Sequence, residues 1–474
     1  MAEKNAVYLT TTLPYVNGKP HMGHALEFVQ ADVIARYKRA QGYEVFFNTG
    51  TDEHGLKIYR MAEEEGISPE EYVNRNAKVF DTFRDKLQLS FDNFIRTTDP
   101  HHKAAAQAFW TTCFKNGDIY KKMYSVKYCV GCELEKTESE LVNSECPMHP
   151  GKKIETIEEE NYFFRFSKYE KPLLELYARQ PGFVIPESRM KEITKFVEGG
   201  LKDFSISRIK EKMPWGVAVP NDDRHAMYVW FDALVNYISA IGWPTDMERF
   251  NRWWPVVQFA GKDNLRQQSA MWQAMLFSAG LPPSKKIIIH GFVTSKGQKM
   301  SKSIGNVVDP LAVVEEYGVD ALRYYLVREI STFEDGDFTE EQFKEAYNAN
   351  LANGIGNLTA RIMKMAETHL ERPASLQAQA FSRTLTDALE AYDVQRAANI
   401  LWEDIGNLDR YIQETQPFKL VKEDREKGVA VIEKLVMDLY TIASMLVLFL
   451  PETAEKIKTA IESNKMPEAL FVRK

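Results

Sequence analysis

The run VYLTTTLPYVNGKPHMGHALEFVQADVIARYKRAQGYEVFFN, residues 7–48, decides the fold. Val7 to Leu13 is rich in β-prone residues and stops at Pro14, and Asn17-Gly18-Lys19-Pro20 is turn chemistry. From Gly23 the apolar residues Leu26, Val29, Val33, Tyr37 and Ala40 recur at helical spacing until Gly42 interrupts them. Val45 to Asn48 then reads as a second strand. Strand, crossover helix and strand in so short a span predict a parallel α/β sheet. The same signal returns at Tyr228 to Phe231, Val256 to Ala260 and Ile287 to His290, which reads as a second segment of that sheet. Between the segments, residues 119 to about 225 hold a cysteine cluster, aromatic strand-like pieces (Tyr162-Phe163-Phe164) and scattered Pro and Gly, the character of an insertion. From about Leu311 the pattern is helical to the end: Tyr347, Leu351, Leu358 and Ile362 keep helical spacing, as do Ala397, Leu401, Ile405, Leu408 and Ile412. A last long helix is expected through Val431, Leu435 and Leu439 towards Phe449, ending at Pro451. Short connections between such helices predict an antiparallel bundle.

Composition bounds the rest. The 474 residues are 44% hydrophobic and 27% charged, which suits a soluble chain of several domains and excludes disorder as its main state. The most apolar window, Ile442 to Leu450, is too short to span a bilayer, and MAEKNAVYLTTTLPY lacks the order of a signal peptide. No membrane partner and a cytoplasmic location are expected. A net charge of −7 excludes a wholly basic nucleic-acid binder but leaves room for an RNA partner held by local patches.

Two short motifs carry chemistry. His21-Met22-Gly23-His24 sits between the first strand and its helix. Backbone N–H groups at a helix start favour an anion, and two imidazoles there can donate to phosphate oxygens. Gly23 would let a flat ring such as adenine approach the backbone. A pair of surface histidines is the plainer reading of the motif alone. Far downstream, Lys299-Met300-Ser301-Lys302-Ser303 lies between Gly297 and Gly305, as a loop would. Lys299 and Lys302 are ammonium point charges suited to a triphosphate and to the charge that develops on leaving pyrophosphate.

The cysteines make a third pattern. Four in so long a chain cannot form a disulfide scaffold. Cys129-x-x-Cys132 and Cys146-x-x-His149 instead supply three thiolates and one imidazole, the set for one tetrahedral Zn2+. Four protein ligands leave no open position for water, so the zinc is expected to be structural and to fasten the insertion. Cys113 lies on a helix-like stretch and is expected to be buried and inert.

HMGH together with KMSKS resembles a class I aminoacyl-tRNA synthetase, with Met22 where Ile or Leu is usual. Leu13-Pro14-Tyr15-Val16-Asn17-Gly18, Gly50-Thr51-Asp52-Glu53-His54-Gly55, Tyr228-Val229-Trp230-Phe231-Asp232-Ala233 and Gly261-Lys262-Asp263 narrow the resemblance to the methionyl-tRNA synthetases of the one-knuckle zinc form. The likeness runs from residue 8 to at least residue 330 and continues more weakly through the helical tail. It implies a Rossmann-like parallel-sheet catalytic domain in two halves, 1–118 and 227–320. A connective insertion at 119–226 would carry the zinc knuckle. A linking, stem-contact region at 321–350 and an α-helical anticodon-binding domain at 351–474 would follow.

The resemblance also implies roles. Asp52 would hold the α-ammonium of methionine, and Leu13, Tyr15, Trp230, Ala233, Tyr237 and Gln268 would line its pocket. His21, Gly23, His24, Gly261, Asp263, Lys299 and Lys302 would bind ATP, with His21, His24, Lys299 and Lys302 catalytic. Mg2+ would accompany ATP. Asn357, Arg361 and Phe418 would meet the anticodon. Many relatives carry Ile at the position of Asn264, His at that of Gln268 and Trp at that of Phe418, so the detail of the pocket and of anticodon reading is open here. The implied reaction joins L-methionine to tRNA(Met) through methionyl-adenylate. Three alternatives are a synthetase for another apolar amino acid such as leucine, a tRNA-independent HxGH nucleotidyltransferase and a catalytically silent RNA-binding module. Relatives with an added C-terminal domain dimerise; this chain stops at Lys474, and a monomer is expected.

Overall fold

The computed structural model describes residues 5–132, 134–136, 140–300, 306–374, 376 and 380–474. The chain forms two compact units. The first comprises Met1–Pro20, Tyr43–Phe83 and Phe91–Ile289, the second His21–Gly42, Arg84–Ser90 and His290–Lys474.

The first unit is built on a six-stranded sheet. Its strands are β1 (Ala6–Thr11), β2 (Glu44–Thr51), β3 (Asn93–Arg96), β4 (Val184–Ile185), β5 (Val256–Gly261) and β6 (Lys286–His290), in the order β3-β2-β1-β5-β6-β4. The β3–β2, β2–β1, β1–β5 and β6–β4 pairings are parallel, with Tyr8 opposite Val256 and Thr10 opposite Asn48. The α/β reading of residues 7–48 therefore holds, as does the return of the sheet at Val256 and Ile287. Strand order reverses on either side of β1, and in open α/β sheets ligands bind beyond the carboxyl ends of strands at such a point. The short edge strand β4 comes from within residues 119–226, so that stretch also contributes to the main sheet.

One expected strand is not a strand. Tyr228 to Phe231 leads into a short helix, Val229–Ala233. Phe231 is fully buried, with its ring 5.2 Å from Trp110 and 5.9 Å from Phe109. Packing inside this aromatic core, which includes Trp243 and Trp272 against Phe109, overrides the β propensity of the residues. The insertion carries its own antiparallel sheet, in which Ile119–Cys129 pairs with Glu155–Phe164 from Ile119↔Phe164 to Tyr128↔Glu155. Cys113, on the helix Pro100–Lys115, is fully buried, and burial pushes its thiol up to about 12, as expected of an inert cysteine.

The second unit is mainly helical. It holds α1 (Met22–Ala40) and, among others, helices Asn357–His369, Val394–Thr415, Arg425–Leu446 and Pro451–Ser463. Ala397, Leu401, Ile405, Leu408 and Ile412 are all buried, so their spacing correctly located the inward stripe. Asp393 and Asp424 cap the helices that follow them by accepting from the backbone N–H of Arg396 and Lys427. Two details differ from the sequence reading. Pro451 begins a helix rather than ending one, because a proline in the first turn lacks only an N–H that would have no intrahelical partner there. The region after Leu311 also contains a strand, Gly336–Asp337, parallel to Val293–Ser295. Among the described residues no helix is long and apolar enough to cross a membrane.

Candidate active site and metal centre

In the first unit four of the expected methionine-binding residues follow carboxyl ends of the main sheet: Leu13 and Tyr15 after β1, Asp52 after β2 and Gln268 after β5. Tyr15 and Asp52 form an isolated parallel bridge just past β1 and β2, closed by Val16 N–H to Asp52 O at 3.1 Å and Asp52 N–H to Pro14 O at 2.9 Å. Asp52 is buried, and Leu13 and Tyr15 are half-buried. The residue after Asp52 is anchored hard. Glu53 receives both Arg96 Nε at 2.7 Å and Arg96 Nη2 at 2.8 Å, together with the hydroxyls of Thr51 and Thr98. Trp215 Nε1 donates to Glu53 O at 2.6 Å. A bidentate guanidinium on a buried carboxylate fixes direction as well as distance.

Trp230 and Ala233 lie on the short helix Val229–Ala233 and Tyr237 on the next, Asn236–Ser239. Trp230 is half-buried, and Ala233 and Tyr237 are buried. Gln268 sits in a π-helical turn, Gln267–Met271, and is buried. Its Oε1 accepts from Gln258 Nε2 at 2.9 Å, and its Nε2 donates to Tyr237 Oη at 2.9 Å. Gln258 in turn accepts from Ser284 Oγ at 2.6 Å. The amide therefore engages Tyr237 without needing charge. Gly261 closes β5, and Asp263 is exposed in the turn after it, with Asn264 Nδ2 3.4 Å from Asp263 Oδ1.

In the second unit HMGH opens α1. His21 is the N-cap, and its Nδ1 accepts from the backbone N–H of Gly23 at 3.1 Å. His24 Nδ1 accepts from the backbone N–H of His21 at 3.3 Å, so the two imidazoles form a reciprocal capping box. The rings stack with centroids 3.7 Å apart. A side chain at position 23 would begin 3.0 Å from the His21 ring, so glycine leaves room for this stack. With Nδ1 accepting in both rings, each neutral imidazole carries its proton on Nε2. Burial, and then the neighbouring His21 and His290 rings, hold His24 well below the ordinary histidine value. His290 Nε2 lies 2.9 Å from Glu27 Oε2, on the same helix as His24. Of Lys299 only the backbone is described, in the strand Gln298–Lys299; Lys302 lies outside the described residues.

The sequence reading passed over the roles of Glu53, His54 and Asp232 inside motifs it quoted, and over His102 altogether. His54 and His102 both contact the buried Asp232 carboxylate. The available signal was a histidine among alanines at the start of an otherwise apolar helix face, Pro100-His101-His102-Lys103-Ala104-Ala105-Ala106.

The four metal-ligand candidates converge. The ligand atoms of Cys129, Cys132, Cys146 and His149 all lie within 4.8 Å of one another. Cys132 Sγ is 3.4 Å from Cys146 Sγ and 3.2 Å from His149 Nδ1, and Cys129 Sγ is 3.9 Å from that nitrogen. Bonds of ~2.0–2.3 Å in a tetrahedron require edges of about 3.3–3.8 Å, so the set fits one zinc ion with Nδ1 as the imidazole ligand. A Cβ on Gly131 would fall 2.5 Å from the His149 ring, which explains the glycine inside the first Cys pair. Protein purified without chelator should hold about one zinc per chain, and C132S should lower that content. Elemental analysis checks both; zinc-free native protein would contradict the fit.

For the anticodon candidates, Asn357 is exposed at the start of its helix, Arg361 pairs with Asp409 across to helix Val394–Thr415, and Phe418 is 46% exposed on helix Pro417–Glu423. An exposed phenyl ring can serve as a stacking platform for a base.

The family model for class I tRNA synthetases (M) matches residues 7–153 and 135–363. The methionine–tRNA ligase of Thermotoga maritima is 40% identical over 97% of this chain and 76% of its own length. That of Mesorhizobium japonicum is 41% identical over 95% of this chain and 90% of its own.

The chain belongs to the methionyl-tRNA synthetase family.

Solved members of this family share the fold throughout. Mycobacterium tuberculosis methionyl-tRNA synthetase in complex with methionyl-adenylate superposes with a TM-score of 0.89 at 38% identity, covering 96% of this chain and 93% of that one. The apo form of the same synthetase gives 0.83 at 33% identity, covering 99% and 98%. The α/β architecture with a following helical region is thus that of a synthetase of this family.

Proposed function

We propose that this chain is an ATP-dependent methionine–tRNA ligase that charges tRNA(Met) through methionyl-adenylate. The observation that carries the reading is the match over 96% of the chain to a synthetase solved with methionyl-adenylate bound. In the first step the methionine carboxylate attacks the α-phosphate of ATP and pyrophosphate leaves. In the second a ribose hydroxyl of the terminal adenosine of tRNA attacks the activated carbonyl and AMP leaves. Neither step needs a nucleophile from the protein; positioning and charge stabilisation suffice.

The family resemblance implies each residue's role, and the residue's chemistry is compatible with it. Asp52, a buried acid beside Tyr15, takes the α-ammonium. Leu13, Tyr15, Trp230, Ala233, Tyr237 and Gln268 enclose the side chain, where aromatic rings and the thioether attract modestly, by about 0.3–1.5 kcal/mol. Gly261 and Asp263 take the ribose of ATP. His21 and His24 present Nε2–H donors to phosphate oxygens, which is what their capping tautomer supports. Lys299 and Lys302 take the charge on pyrophosphate. Mg2+ accompanies ATP as its counter-ion. Cys129, Cys132, Cys146 and His149 hold the zinc, which when bound cross-links the two ends of a 13-residue loop and has no part in the reaction. Phe418, Arg361 and Asn357 read unpaired anticodon bases.

Charging of tRNA transcripts with labelled methionine tests the reading. A tRNA(Met) transcript should be charged and a non-methionine transcript should not. Equal charging of both, or of neither, would contradict it.

A further inference from the structure

The Asp232 carboxylate lies between two buried imidazoles. His54 Nδ1 is 2.6 Å from Asp232 Oδ2, and His102 Nε2 is 2.9 Å from Asp232 Oδ1. The remaining nitrogen of His102, Nδ1, is 2.9 Å from Ser239 Oγ. All four residues are buried. Burial alone would raise the Asp232 pKa, but the two histidines outweigh it and hold the carboxyl at about 2. An ionised carboxylate only accepts, so His54 must direct Nδ1–H and His102 Nε2–H towards it.

The contacts join four segments of the first unit. His54 follows Asp52 by two residues. Asp232 lies on the helix of Trp230 and Ala233. Ser239 lies on the helix of Tyr237. His102, in the first turn of the helix Pro100–Lys115, bridges the latter two. Those two helices have only five and four residues, too short to hold their own orientation without tertiary contacts. We propose that Asp232 with His54 and His102 is a positioning element for methionine, fixing the segment that carries Asp52 against the two short helices that carry Trp230, Ala233 and Tyr237. None of the three needs to touch substrate. The proposal rests on the reading that methionine binds among these residues.

The test compares H102L with H102Q in methionine-dependent ATP–pyrophosphate exchange, with thermal melting measured on each. Glutamine keeps an N–H for Asp232; leucine keeps the bulk and loses the contact. H102L should raise the KM for methionine about 30-fold, within the cost of an ångström-scale misplacement, and leave the KM for ATP within about two-fold. H102Q should restore the methionine KM to within about three-fold of wild type. A loss of folding alone would lower the active fraction, and so kcat, without splitting the two KM values. A methionine KM in H102L equal to that of H102Q, or a melting shift with neither KM changed, overturns the proposal. Wild-type protein without methionine-dependent exchange would remove the underlying reading along with it, whereas active wild type with unaffected variants removes the proposal alone.

Discussion

H24A is expected to slow methionyl-adenylate formation by about 10²–10³, the usual cost of removing one preorganised donor from developing charge. The capping geometry says which donor is lost. His24 Nδ1 is occupied by the backbone N–H of His21, so the proton of the neutral ring is on Nε2. The substitution also removes half of the capping box, which costs about 1 kcal/mol of stability. A loss of that size leaves most of the protein folded, so it cannot account for a hundred-fold loss of rate. H24N retains an N–H donor and should recover part of the rate. Because the His24 pKa is depressed, the working ring is neutral, and adenylate formation should not accelerate as pH falls from 8 to ~6.5, the unperturbed histidine value. The stability linkage has the matching sign. The unfolded chain binds the proton first, so the contribution of neutral His24 is present above ~6.5 and is lost as pH falls below it. Rapid-quench single turnovers with methionine and ATP measure the rate. H24A within five-fold of wild type, which is about 1 kcal/mol, would remove His24 from the catalytic set.

R323A should cost about 3–5 kcal/mol of stability, the penalty for leaving one member of a buried ion pair without its partner. Arg323 and Asp32 are both fully buried in the second unit, with Arg323 Nη2 2.8 Å from Asp32 Oδ2. The same guanidinium donates to Phe449 O at 2.7 Å and to Leu87 O at 3.0 Å, so truncation also orphans carbonyl groups. Asp32 receives Arg36 Nε at 2.7 Å and both the backbone N–H and the hydroxyl of Ser90 at 2.6 Å. Burial alone would raise the Asp32 pKa, but Arg323, Arg36 and Ser90 together bring it below the ordinary aspartate value. Its contribution is therefore complete above the unfolded value of ~3.9 and disappears as pH falls through the lower folded value. The stability gap between wild type and R323A should accordingly narrow in acid. Asp32 is on α1, eight residues after His24, so this contact anchors the helix whose start carries HMGH. The double variant D32L/R323M should be more stable than R323A, because an apolar pair leaves no buried charge. Urea melts of the three proteins check this; an R323A protein within about 1 kcal/mol of wild type would show that the pair is not desolvated as its burial indicates.

The parts of the fold that could be read from the sequence are those set by local chemistry. The strand–turn–helix run at 7–48, the buried stripe from Ala397 to Ile412 and the Cys–His spacing each depend on residues close together in the chain, and each appears in the structure as read. The errors come from tertiary context. Tyr228 to Phe231 has the residues of a strand, but the aromatic core around Phe109 and Trp110 accepts it as a helix. Pro451 stops one helix in a reading that counts only the pattern before it, while the structure uses it to start the next. Buried charge was the least legible feature. Asp32 and Arg323 are nearly 300 positions apart, and His102 and Asp232 are 130 apart, so spacing cannot pair them. Their one local signal is a charged or polar residue on an otherwise apolar helix face, which marks a buried partner without naming it. The capping roles of His21 and His24 were equally hidden, since imidazoles are not usual N-cap residues.

The central claim is that the site activates methionine. ATP–pyrophosphate exchange run separately with each of the twenty amino acids measures that step without tRNA. Exchange should be fast with methionine and at background with leucine, isoleucine, valine and the remainder. Exchange driven equally well by another amino acid, or by none, would contradict the account.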